Sequence, residues 1–88
     1  MIHSLAGGYL RELTFADFVK VEITSGASAG KLFWYITDII DLKVGDRVEV
    51  PLLNEVYSGV VKKIERNLNN QTAPVPIKRT KSIIRKLN

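Results

Sequence analysis

Alternation of apolar and polar side chains is clearest over residues 18–24, FVKVEIT, where Val19, Val21 and Ile23 share one face and Lys20 and Glu22 the other, the period of a half-buried strand. Residues 25–30, SGASAG, form a small-residue loop with two glycines that turns the chain back into a second strand over residues 31–37, KLFWYIT. That strand is apolar on both faces, which predicts a central place in the sheet. Residues 38–43 read as a connection in which Asp38 and Asp41 accept backbone hydrogen bonds while Ile39, Ile40 and Leu42 drop toward the core.

The stretch over residues 42–61, LKVGDRVEVPLLNEVYSGVV, is a turn feeding a hairpin. Gly45 and Asp46 supply the turn, and Val48, Val50 and Leu52 alternate with Arg47 and Glu49. Pro51 restricts its strand to an edge or a bulge, and Gly59 marks an expected bend in the next one. Residues 47–52 and 55–66 are thus the third and fourth strands, linked around Leu53 and Asn54, the fourth long enough to serve two sides of a barrel. Residues 67–76, NLNNQTAPVP, are the clearest loop. Residues 77–87 admit two readings: a turn or short helix that docks on the barrel, with Ile77, Thr80, Ile83, Ile84 and Leu87 as its apolar stripe, or a turn followed by a strand over 82–87 that buries Ile84. Residues 1–14 show no clean period and carry Tyr9, Leu10 and Leu13 as their anchors.

These elements predict a mainly β fold, a small bent barrel of about five strands with a short helix or turn near the C-terminus. Residues 1–16 are expected to be an arm or an added edge strand, and 17–88 one barrel domain. With 88 residues a single core is what the chain can bury, and with no cysteine that core relies on packing and hydrogen bonds, which fits a reducing compartment. The apolar run over residues 32–36 is far short of the roughly 20 residues of a membrane helix, and the opening MIHSLAGGYLREL lacks the basic and apolar blocks of a signal peptide. The expectation is a soluble cytoplasmic protein without membrane association.

Charge is distributed unevenly. Through Val61 there are five basic residues against eight acidic; from Lys62 onward Lys62, Lys63, Arg66, Lys78, Arg79, Lys81, Arg85 and Lys86 face Glu65 alone. A basic end of this kind attracts phosphate backbones or acidic protein surfaces, and it equally serves as a solvated face.

Catalysis finds little support. His3 is the single histidine and sits near the terminus, so a histidine-based triad or general base would need that arm to fold over a pocket. Asp38, Asp41 and Asp46 are close in sequence, but their spacing matches no calcium loop and turn roles explain them. No glycine-rich phosphate loop is present, and no cofactor or metal is implied. Nucleic-acid binding has more support: Lys62, Lys63, Lys78, Arg79, Lys81 and Arg85 are candidate phosphate contacts if they gather on one face, and Trp34 or Tyr57 are candidate stacking platforms.

From Val19 to Leu87 the Phe33-x-Tyr35 strand, LKVGDRVEVP, YSGVV and the closing KRTKSIIRKL resemble the N-terminal DNA-binding domain of the primosomal replication helicase, protein N′. The chain also resembles small stand-alone proteins of low-GC Gram-positive bacteria and their mobile elements. In that helicase family the barrel holds the 3′ end of a DNA strand with an Asp between the Phe and Tyr, a Gly two residues past the Pro, and a Lys near the last apolar run. The matching positions here are Trp34, Leu53 and Lys81, so the lysine alone keeps its type. Without the carboxylate an acceptor for a terminal hydroxyl is missing, and leucine for glycine crowds a close backbone approach. The resemblance therefore implies the fold more than the end-binding activity, and the helicase's ATPase machinery is absent. The rival expectation is a protein-interaction module of a replication or mobile-element system that docks an acidic or strand-like partner.

Overall fold

Valine-rich alternation places β1 (Ala16–Ile23) and the long β4 (Glu55–Leu68) side by side at the centre of one antiparallel sheet of order β2-β1-β4-β3-β5, with β2 at Leu32–Thr37, β3 at Arg47–Leu52 and β5 at Arg85–Lys86. The structure, a computed structural model, describes residues 14–87. The arm expected before Thr14, with His3, Tyr9, Leu10 and Leu13, lies outside the described residues. Inward side chains of all the longer strands meet in one core: Val19, Val21 and Ile23 from β1, Tyr35 from β2, Val48 and Val50 from β3, Val61 from β4, with Leu42 and Ile83 from the connections.

The mainly β, five-stranded expectation holds, with a lone 3₁₀ turn at Ile77–Arg79. The sheet is strongly bent but not closed by a continuous ladder. One bridge spans the seam between β2 and the chain leading into β5: Ile36 N–H donates to the Lys81 carbonyl and Ile83 N–H to the Ile36 carbonyl, each at 2.9 Å.

Four expectations are corrected. β2 is an outer strand of the ladder, not a central one. Its two-sided apolar pattern arises because Tyr35 faces the core while Trp34, on the other face, sets its ring edge against Phe18 at 6.3 Å between centroids. Ile40 is 88% exposed, since the connection is held from outside by Arg66 and sends Leu42 inward instead. Of the last isoleucines Ile83 is buried and Ile84 exposed, because Ile84 N–H pairs with the Glu49 carbonyl at 2.7 Å and thereby fixes the strand's facing. Finally, Gly59 serves close approach: a Cβ there would collide with the Val21 side chain and lie 2.8 Å from the Glu22 carbonyl oxygen.

The bends of β4 come from two register slips against β1. One leaves Lys62 between the Val21–Val61 and Lys20–Lys63 pairs; the other sets Arg66 and Asn67 opposite Asp17 alone, with Asn67 at φ 60°. Asp17 binds both extra residues, accepting from Asn67 N–H at 2.7 Å and from Arg66 at 2.9 Å. The other arm of the Arg66 guanidinium reaches the Ile40 carbonyl at 3.0 Å, so this arginine ties the 38–42 connection to the bulge. Beyond β4, the Asn69 side chain accepts from Gln71 and Thr72 N–H groups and shapes the following loop.

Candidate nucleic-acid interface

Opposite charges pair wherever strand register brings them together, and this decides which late cations remain available. Lys62 pairs with Glu22 at 3.6 Å, Lys63 with Glu65 at 2.9 Å, Arg66 with Asp17 at 2.9 Å, Arg85 with Glu49 at 3.0 Å and Lys86 with Asp46 at 3.4 Å. The eight cations therefore do not form one free basic face. Lys62 and Lys63 lie on β4, with β1 between them and the outer strand β2, while Arg85 and Lys86 lie on β5 beside β3. Among the described residues Lys78, Arg79 and Lys81 have no carboxylate partner, and all three belong to the 3₁₀ turn or the residues just after it.

Two of them, Arg79 and Lys81, help wall a cleft of about 330 Å³ at the open end of the seam. Phe33, Trp34 and Tyr35 form its β2 side; Pro51, Leu52 and Leu53 its β3 side; Val75, Pro76, Arg79, Thr80 and Lys81 the third side. No acidic residue lines it. The 3₁₀ turn opens the cleft: the Thr80 hydroxyl donates to the Pro76 carbonyl at 2.6 Å and Arg79 N–H to the same oxygen at 3.2 Å, so the chain coils away from β2 where a parallel ladder with Ile36 would otherwise continue. A second groove of about 670 Å³ adjoins it through Val75, Pro76 and Arg79 and reaches Lys78.

The floor is built by one bond. Tyr35, almost fully buried, donates through its hydroxyl to the Pro51 carbonyl at 2.9 Å, and burial raises its phenol above the ordinary 10.0. At the lip stands Leu53, 77% exposed at φ 51°, followed by Asn54 at φ 67°. Two positive φ values make the link a type I′ turn, in which an aliphatic residue is out of place.

Trp34 is half-buried at the cleft, with the Lys20 ammonium over its ring at 5.5 Å from the centroid, so part of the indole already carries an internal cation–π contact. Tyr57, the other stacking candidate, is elsewhere: its ring lies against Gly26, its hydroxyl donates to Glu55 at 3.3 Å, and that carboxylate's charge raises its phenol. Asp46 holds the expected turn, accepting from Lys43 N–H at 2.8 Å. Thus Trp34, Arg79 and Lys81 are brought together, Lys78 lies on the adjoining groove, and Lys62, Lys63 and Arg85 are apart and paired. Of the opposite wall, Leu53 is reached from sequence through the resemblance alone, and Pro51 and Leu52 are not, although a leucine within a two-residue hairpin link is a usable signal.

No protein-family model, no curated protein and no solved structure matches the chain. The described residues contain no helix long and apolar enough to cross a membrane.

Proposed function

We propose that this domain is a non-catalytic, cytoplasmic nucleic-acid-binding module that takes single-stranded or junction DNA, using Lys78, Arg79 and Lys81 on phosphate and Trp34 beside a base. The observation that carries it is the coincidence, at one cleft, of aromatic side chains with Arg79 and Lys81, two of the three late cations that have no carboxylate partner among the described residues, the third, Lys78, lying on the adjoining groove. At about 330 Å³ the cleft is at the small end of the roughly 300–1,000 Å³ of ligand sites, room for a base but not a duplex. The resemblance to the primosomal helicase domain adds support, since its three matched positions, Trp34, Leu53 and Lys81, all line this cleft. Lys62, Lys63 and Arg85 would each have to leave a carboxylate to reach phosphate, and they take no part in the reading.

Fluorescence anisotropy with single-stranded, double-stranded and recessed-end oligonucleotides at low salt tests it. Saturable binding is expected to prefer the single-stranded or recessed forms. Its log–log salt slope should lie near −2, for about three phosphate contacts at about −0.7 each, rather than near −6 for all eight cations. No binding to any of the three at low salt removes the proposal.

A further inference from the structure

Strand parity assigns the outward backbone groups of β2 and β3 at the seam. In the β1–β2 ladder Ile23 N–H donates to the Lys31 carbonyl, so Phe33, Tyr35 and Thr37 turn their N–H and C=O groups toward β1, and Leu32, Trp34 and Ile36 turn theirs outward. Ile36 is satisfied by Lys81 and Ile83. Leu32 and Trp34 have no backbone partner among the described residues. Across the seam, β3 directs Arg47, Glu49 and Pro51 outward, and their carbonyls are taken by Leu87 N–H, Ile84 N–H and the Tyr35 hydroxyl respectively, while Pro51 has no N–H to satisfy. Among the described residues of β2 and β3, the outward backbone groups without a partner are therefore those of Leu32 and Trp34, two alternate residues of β2, of which Trp34 lines the cleft.

We infer that β2 accepts an added strand at Leu32–Trp34 from an acidic, extended peptide, whose main chain pairs with those two residues and whose side chains enter the cleft. Several features fit a peptide strand. The free groups recur at the two-residue period of a strand. The opposite wall offers apolar Pro51, Leu52 and Leu53 for one face of the incoming chain. Lys31, Arg79 and Lys81, none with a carboxylate partner among the described residues, flank the edge, and no acidic side chain lines the cleft, so the charge complement is an acidic partner. The geometry also gives the edge a natural limit. The bridge at Ile36 blocks extension along β2, so a bound strand pairs with few residues and the contact is a reversible one. Because this occupant and a nucleic-acid strand would use the same wall, they exclude one another.

The test uses the full chain and a fluorescein-labelled peptide of alternating glutamate and valine, in three forms: unmodified, N-methylated at every glutamate, and N-methylated at every valine. Strand addition predicts saturable binding of the unmodified peptide, a loss of roughly tenfold in affinity for one methylated isomer, and a much smaller loss for the other, since one set of alternate nitrogens faces β2. Amide exchange should slow on binding at Leu32 and Trp34, while Phe33 and Tyr35 stay protected throughout. Leu32→Pro, which removes an outward N–H and no ladder bond, should weaken binding with its folded amide spectrum retained. No saturation up to about 1 mM, equal binding of the two methylated isomers, or unchanged exchange at Leu32 and Trp34 overturns the inference. A parallel titration with oligothymidylate separates the two readings: oligonucleotide binding with a flat peptide curve leaves the nucleic-acid function standing and removes the strand site, and the converse removes the nucleic-acid function alone.

Discussion

The Tyr35 hydroxyl on β2 donates to the Pro51 carbonyl on β3 at 2.9 Å, a bond between strands that are not neighbours in the ladder. It satisfies the one outward carbonyl of β3 that the β5 segment does not reach, and so holds the two sides of the open seam at a fixed distance. Tyr35→Phe keeps the ring and removes that bond. Urea denaturation should show a loss of about 1 kcal/mol, and the Leu53 lip should shift in the amide spectrum.

The same phenol sets an alkaline limit. Burial raises its pKa above 10.0, so the folded state holds this proton more tightly than the unfolded chain does. Its contribution is whole below the unfolded value and is lost as pH rises through the folded one. The urea midpoint should therefore fall above about pH 10, and Tyr35→Phe should flatten that fall. An alkaline limb identical in both proteins would assign it to other groups.

Arg66 is structural. Its guanidinium bonds Asp17 at 2.9 Å and the Ile40 carbonyl at 3.0 Å, holding together the β4 bulge and the connection before β3. A lysine has no fork with which to bond both. Both Arg66→Lys and Arg66→Ala should destabilise the fold, by about 1–2 kcal/mol given the pair's partial exposure. Oligonucleotide affinity, measured well below the unfolding midpoint, should not change.

Leu53 contrasts with its surroundings, being a strongly exposed aliphatic residue at φ 51° where asparagine or glycine is preferred. Relieving the backbone with Leu53→Asn should stabilise the domain by about 0.5–1 kcal/mol in urea. If Leu53 is kept for its contact at the cleft lip, the same variant should bind cleft ligands more weakly. A gain in stability with unaltered binding would leave the leucine unexplained by function.

The hairpin of β3 and β4 was legible because its signals are local: alternation, a two-residue link and Pro51 at an edge. The parts that were not legible depend on partners far along the chain. Lys62, Lys63 and Arg85 read as available cations, yet Glu22 and Glu49 reach two of them across strand register, and only Glu65 is a near neighbour in sequence. The bulge opposite Asp17 needs Arg66 and Asn67, some fifty positions away, and no local pattern announces it. Ile83 and Ile84 are adjacent, so periodicity alone could not choose between them; the hydrogen bond from Ile84 to Glu49 does. At the cleft, Trp34, Arg79 and Lys81 could be named from residue type, whereas the Pro51–Leu53 wall exists because the sheet bends back on itself.

Pairing state, rather than position in the sequence, is what should decide each cation's effect on binding. In the double charge reversal Arg79→Glu with Lys81→Glu, two side chains without carboxylate partners among the described residues become acidic beside the cleft, and oligonucleotide affinity should fall by more than tenfold, by about the same factor for every sequence. The matched reversal Lys62→Glu with Lys63→Glu alters net charge equally but acts on residues already paired with Glu22 and Glu65 on β1 and β4. At about 0.15 M salt, where the screening length is about 8 Å, it should cost little. Anisotropy titrations of the two variants at matched salt read the difference directly. Equal losses would mean that binding follows total charge and that the cleft has no special part in it; a larger loss for the β4 pair would move the interface to the outer face of the sheet.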